Sequence, residues 1–144
     1  MQAPTDRPPK ANNDTPKDKP IARPLQDIVA DLHLPVPKRV LKNKKLGGNN
    51  ITFIPWYRVA KMMDFYAPGW EYEITDKTIT ASHVMMTVRV YINAKEGRFY
   101  REATGIETLN VKGFGDPTSN AESMAFRRAC AKWGLGIDLY EKED

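Results

Sequence analysis

Apolar and polar positions alternate most regularly between residues 84 and 92. Val84, Met86, Val88, Val90 and Ile92 fall on one side of an extended segment, and Met85, Thr87, Arg89 and Tyr91 on the other. A period of two over this length predicts a strand buried on one face. WEYEITDK, residues 70–77, alternates over a shorter span before it. NAKEG, residues 93–97, is a tight turn, and GRFYREATGIETLN returns from it as a third strand. There Arg98, Tyr100, Glu102 and Thr104 share one face, and Phe99, Arg101 and Ala103 the other. Short turns between three strands predict an antiparallel meander with one buried and one polar face.

Helical periods flank this meander. In LQDIVADLHL, residues 25–34, the apolar Leu25, Ile28, Val29 and Leu32 recur at i, i+3, i+4, i+7, and Pro35 and Pro37 end the run. Val59, Met62, Met63 and Tyr66 repeat the spacing, with Pro55 placed to open that helix and Pro68-Gly69 to close it. Trp56, Met62 and Phe65 read as core. Ala121, Ala125, Ala129 and Trp133 form one row of a last helix, with Phe126 and Cys130 beside it. Ser119 with Glu122 fits a capping box, and Gly134 falls where a C′ residue takes positive φ. GGNN at 47–50 reads as a flexible joint and VKGFGDPT, residues 111–118, as a glycine-rich loop. The expected class is α+β: a three-stranded antiparallel β-meander flanked by helices, a β-β-β-α core in a dsRBD-like layer arrangement.

Composition divides the chain. Its 144 residues suffice for one domain. The first 24 hold six of the eleven prolines and almost no large apolar side chain, too little to offset the entropy of ordering. Residues 1–24 are therefore expected to be a disordered tail, 25–50 a short helix and basic linker, and 51–144 the main domain. No apolar run approaches the ~20 residues of a membrane span, and the N-terminus lacks a signal-peptide core, so a soluble cytoplasmic protein is expected. An N-terminus that is not arginine-rich and acid-poor argues against mitochondrial import. The single cysteine excludes an internal disulfide framework.

Charge is uneven as well. Residues 1–50 carry ten Lys/Arg against five Asp/Glu; residues 51–144 carry twelve against thirteen. The densest piece is KRVLKNKK, with Lys38, Arg39, Lys42, Lys44 and Lys45 and no acid. It reads equally as a contact for a polyanion or as a solvated linker. The last helix has a basic side as well, Arg127 and Arg128, with Lys132 one turn on. Ser123 and Met124 stand four residues before the two arginines, so neither has an acid on its own helix to pair with. The planar guanidinium suits phosphate oxygens.

Catalytic groups are sparse. His33 and His83 lie in different elements without metal-ligand spacing. Asp64, Glu71, Glu73 and Glu102 are spaced like ordinary surface acids, VKGFGDPT lacks the lysine-serine/threonine ending of a phosphate-binding loop, and Cys130 sits on the packing side. No catalytic residue, metal or cofactor is expected.

The segments GRFYREATGIETLN and GDPTSNAESMAFRRACAKWGLGIDLY resemble the single-strand annealing proteins of the Rad fifty-two type, including their bacterial and phage relatives. The likeness spans roughly residues 53–140. It implies a β-β-β-α core that binds single-stranded DNA without sequence preference and anneals complementary strands as a ring or helical homo-oligomer, in recombination and repair. Carried over by position, it implies DNA contacts at Arg127 and Arg128, at Arg58 on the preceding helix, at Tyr66 near the bend after it, and at Lys95, Arg98 and Arg101 on the projecting hairpin. Outside the likeness, which no motif of KRVLKNKK joins, the charge of residues 38–45 is expected to give a second, weaker DNA contact, to single strand or to duplex. Further partners implied are a single-strand-binding protein or a recombinase, although the chain ends soon after Tyr140, without the long partner-binding tail of eukaryotic members. A bacterial, nucleoid-associated or phage-encoded protein is expected. The competing readings are a module that protects DNA ends or recruits a partner without annealing, and a metal-dependent nuclease.

Overall fold

The computed structural model describes residues 22–110 and 116–141. The expected tail up to residue 21 and the glycine-rich stretch 111–115 lie outside the described residues.

Helix α1 (Leu25–Leu32) buries Ile28 and Leu32 of its apolar period, with Leu25 and Val29 partly buried against the same core. A 3-10 turn at Lys38–Val40 follows. The segment expected to be a linker then folds as an antiparallel hairpin, β1 (Lys42–Leu46) with β2 (Asn49–Phe53). Its turn is Gly47-Gly48, both at positive φ, so GGNN is a tight reversal rather than a joint. Pro55 stands just outside α2 (Trp56–Tyr66) as its N-cap, because its extended ψ leads into the helix without joining it. Val59, Met62, Met63 and Tyr66 are buried as their spacing requires. Trp56 and Phe65, expected in the core, are 53% and 38% exposed; they fall on α2's outer flank.

The main sheet is the expected meander, β3 (Glu71–Ile79), β4 (His83–Ala94) and β5 (Gly97–Thr108), antiparallel in that order. β4 is central, and its Val84, Met86, Val88, Val90 and Ile92 are buried. Full burial of such side chains stabilises the fold by about 1.5–3 kcal/mol each. Pairing of Val88 with Ala103 and Met86 with Gly105 puts Ala103 and Gly105 on the same covered face. The opposite face pairs Tyr91 with Tyr100 and Arg89 with Glu102.

Helix α3 (Pro117–Lys132) covers the apolar face through its alanine row. The approach is close enough that a Cβ on Gly105 would lie 2.1 Å from the Ala121 carbonyl oxygen. Trp133, 2% exposed, donates its indole N–H to the Val90 carbonyl at 3.0 Å. The helix starts earlier than expected: Asp116 is the N-cap, its carboxylate accepting the Ser119 N–H at 2.8 Å, and Pro117 takes the first turn. Ser119 and Glu122 therefore do not form a capping box. Gly134 has φ +120° as its C′ position demands, and its Cα faces the His33 ring. A short helix α4 (Asp138–Glu141) ends the described chain.

One core unites these layers. Ile28 and Leu32 of α1 join Met62 and Met63 of α2, Val88 and Ile92 of β4, and Phe126, Cys130 and Trp133. Arg23, placed by sequence in the tail, is tied to the body: its carbonyl accepts the Lys95 N–H at 2.8 Å and its guanidinium pairs with Asp31 at 2.6 Å.

Candidate nucleic-acid interface

The hairpin stands over α3 and leaves a groove of about 190 Å3 between them. Lys44 and Phe53 line the hairpin side, Met124, Arg127 and Arg128 the α3 side, and Tyr140 of α4 one end. An adjoining hollow of about 320 Å3 shares Arg128 and Tyr140 and runs on to Thr104 of β5 and Lys132. Four cations thus follow one track from the hairpin to the sheet edge, and among the described residues no carboxylate lines either hollow. The walls between the cations are apolar or aromatic, a surface that suits bases as well as phosphates.

The side chains in this track are held by neutral partners. Lys44 Nζ lies 5.0 Å from the centre of the Phe53 ring and the Arg127 guanidinium 5.4 Å from it, so one ring carries two cations. Arg128 donates to the Thr104 carbonyl at 3.2 Å and Lys132 to the Glu102 carbonyl at 2.7 Å. Among the described residues, neither Arg127 nor Arg128 has a carboxylate within ion-pair distance. Burial is the largest influence on Arg127 and draws its pKa down; the Tyr140 hydroxyl opposes this and Arg128 adds to it. A half-buried guanidinium without a counter-ion is unfavourable, and an anion in the groove relieves it.

The remaining sequence-derived positions are dispersed. Arg58 donates to the carbonyls of Val40 at 3.0 Å and Arg39 at 3.4 Å, holding the turn that leads into the hairpin. Lys42 stands 5.8 Å from the Tyr57 ring near the same root. Lys38 and Arg39 lie in the 3-10 turn, whereas Lys44 joins the groove of Arg127 and Arg128. Lys45 is exposed in the hairpin. Tyr66 is 4% exposed and belongs to the core, so its ring cannot meet a strand. Burial, reinforced by Asp31, raises its pKa.

The meander's cations are also turned away from the groove. Arg101 donates to the Lys132 carbonyl and lies 4.6 Å from the Trp133 ring, capping the end of α3. Arg98 is on the open face, paired with Glu71 at 3.1 Å and 3.7 Å from the Tyr91 ring. Lys95 is at the β4–β5 turn, where its backbone binds Arg23. Phe53 and Tyr140 are groove residues that sequence reasoning did not single out. The paired glycines at 47–48 were the available signal for the hairpin that brings Phe53 there; Tyr140 had none.

Other chemistry has little to build on. Among the described residues, no three His, Cys, Asp or Glu side chains converge as metal ligands would. His33 Nδ1 is 2.8 Å from the Val29 carbonyl and His83 Nδ1 2.7 Å from the Ser82 hydroxyl. Cys130 is fully buried, and burial pushes its thiol pKa far up. No helix among the described residues is long and apolar enough to cross a membrane.

Two plant proteins share this sequence pattern. The chain is 38% identical over 136 residues to DNA repair RAD52-like protein 1, mitochondrial, of Arabidopsis thaliana, covering 93% of this chain and 77% of that protein. It is 37% identical over 126 residues to DNA repair RAD52-like protein 2, chloroplastic, of the same plant, covering 85% of this chain and 63% of that protein. No family model matches the chain. The likeness reaches well beyond residues 53–140, into the N-terminal part that carries no recognised motif. Both relatives are named for plant organelles, and neither lends support to the bacterial or phage origin expected from sequence.

Proposed function

The chain belongs to the Rad52-like family of DNA repair proteins, and on that premise we propose that it binds single-stranded DNA without sequence preference and anneals complementary strands as a homo-oligomer. The observation that carries this reading is the track of Lys44, Arg127, Arg128 and Lys132, with no carboxylate along it among the described residues. Such cations neutralise phosphates irrespective of sequence, and their binding weakens steeply with salt. Annealing breaks no bond, so it needs no nucleophile or metal. It needs two repelling backbones neutralised while the base edges stay free to pair.

Self-association extends the track. β3 and β5 are the edges of the main sheet, and all nine residues of β3 are exposed. A strand with unpaired N–H and C=O groups invites another chain. Consecutive copies joined along such edges would line up their grooves into one path for a stretched strand.

The test is the double variant R127A/R128A in the full chain. Each charge-assisted contact to phosphate is worth about 1.5 kcal/mol, so the pair should weaken single-strand binding by about 100-fold across unrelated sequences. Annealing of complementary oligonucleotides should fall with it. A correctly folded double variant that binds like the wild type would overturn the assignment.

A further inference from the structure

On the other flank of α3, away from the groove, lies a second hollow of about 160 Å3. Trp56, Trp70, Tyr72 and Phe126 wall it, and Glu122 and Ser123 stand at its rim. The rings form an ordered cluster. Trp70 stacks on Tyr72 with 5.9 Å between centres and 18° between planes, and Phe126 closes on both at 5.6 and 5.4 Å. The Trp70 indole is fixed by its hydrogen bond to Asp64 at 2.6 Å, and the Tyr72 hydroxyl lies 3.4 Å from Glu122. Trp56 and Tyr72 are 53% and 47% exposed. Among the described residues, the lining contains a carboxylate and no cation.

Aromatic faces with a carboxylate at the rim attract a cationic side chain. The volume is well under the roughly 300–1,000 Å3 of small-molecule sites, and it suits a single side chain. The helix end nearby does not oppose a cation, because the Asp116 carboxylate caps it and stays ionised down to a pKa of about 2.

The chain itself carries a matching segment. Residues 1–21 include Arg7-Pro8-Pro9-Lys10, two cations bracketing two prolines. Proline-rich segments dock on aromatic-lined grooves because little entropy is lost in fixing them. The segment joins the described fold at the end of α2, four residues before Trp70. Arg23 donates to the Tyr66 carbonyl at 3.3 Å, and the turn that follows Tyr66 leads directly to Trp70, whose N–H bonds Ala67 at 2.9 Å. Eleven residues lie between Lys10 and Ala22, a reach of up to about 40 Å.

We propose that the hollow of Trp56, Trp70, Tyr72 and Phe126, with Glu122 at its rim, is an intramolecular docking site for the Arg7–Lys10 segment. The site does not depend on the DNA-binding reading, since it shares no residue with the cationic track.

The test uses the full chain with a photo-reactive benzophenone residue in place of Ala11, adducts being mapped by mass spectrometry. Adducts should concentrate on residues 56–60, 70–72 and 122–126 of the same chain. R7E/K10E should reduce them at least tenfold, and so should E122K, a half-exposed position whose change leaves the core intact. Combining E122K with R7E/K10E should restore most of the yield, which a merely structural role for Glu122 would not do. Adducts scattered over the surface, adducts joining two copies, or a yield indifferent to both charge reversals would overturn the proposal. So would adducts displaced in the wild type by a short single-stranded oligonucleotide that itself crosslinks to Trp56 or Trp70, since the hollow would then hold a base.

Discussion

The groove beneath the hairpin and the open face of the main sheet are both rich in arginine, yet they use it in opposite ways. On the sheet, Arg98 lies over Tyr91 and pairs with Glu71, and Arg89 lies 4.1 Å from the Tyr100 ring and pairs with Glu102 at 3.0 Å. The Tyr91 hydroxyl in turn bonds Glu73. Each guanidinium there has a ring beneath it and a carboxylate beside it. In the groove, Arg127 has the Phe53 ring and Arg128 a carbonyl, and among the described residues the lining supplies no carboxylate to either. Counting cations therefore does not locate a polyanion site. What distinguishes the two surfaces is whether the protein itself supplies the counter-charge.

The sharpest way to break this comparison is charge reversal on the groove wall. K44E should lower single-strand affinity by at least about tenfold at moderate salt, in a fluorescence anisotropy titration. R98A should leave the same titration unchanged. Equal losses from the two would mean that the open face also binds, and the distinction would fail.

Stability should respond in the reverse sense. R89A removes a ring contact and an ion pair at once, and leaves Glu102 without its partner. Its melting temperature should fall by a few degrees, whereas R128A, which gives up one hydrogen bond to a carbonyl on the surface, should melt close to the wild type. Thermal unfolding followed by circular dichroism distinguishes the two.

The smallest effect concerns pH. The Asn93 side chain, and then Arg98, hold the Glu71 carboxyl below its usual range. A carboxylate whose pKa is lower folded than unfolded stabilises the fold above the unfolded value, and that contribution is lost as pH falls through the folded value. Wild-type melting temperature should therefore decline below about pH 4.3 more steeply than that of E71Q. Among the described residues the groove has no carboxylate to titrate, so no comparable step should come from it.

Much of the fold was legible because it rests on local periods. β4 announces itself by strict alternation, and the alanine row of α3 fits the close approach at Gly105. The hairpin was not legible by that route. KNKKL has no apolar alternation, and in NNITF it is limited to Ile51 and Phe53, which line the groove rather than the main core. The glycine pair between them was the stronger clue, a favoured two-residue turn. Trp56 and Phe65 misled for the opposite reason: large aromatic side chains suggest a core, but their position on α2 sets them on its outward flank. In the candidate site, Arg127 and Arg128 could be read from one helix face. The engagement of Arg98 and Arg101 could not, because Glu71 and the Lys132 carbonyl reach them from distant parts of the chain.

The contact between Gly134 and His33 has a practical consequence. Any side chain at 134 would strike the imidazole, since even a Cβ would lie 2.3 Å from Nδ1. The first helix thus seats itself against the end of the last long one, with Ile28 and Leu32 sealed inside. Trimming the chain to residues 51–144 would strip a lid from the hydrophobic interior, so a minimal unit for biochemistry must begin ahead of Leu25.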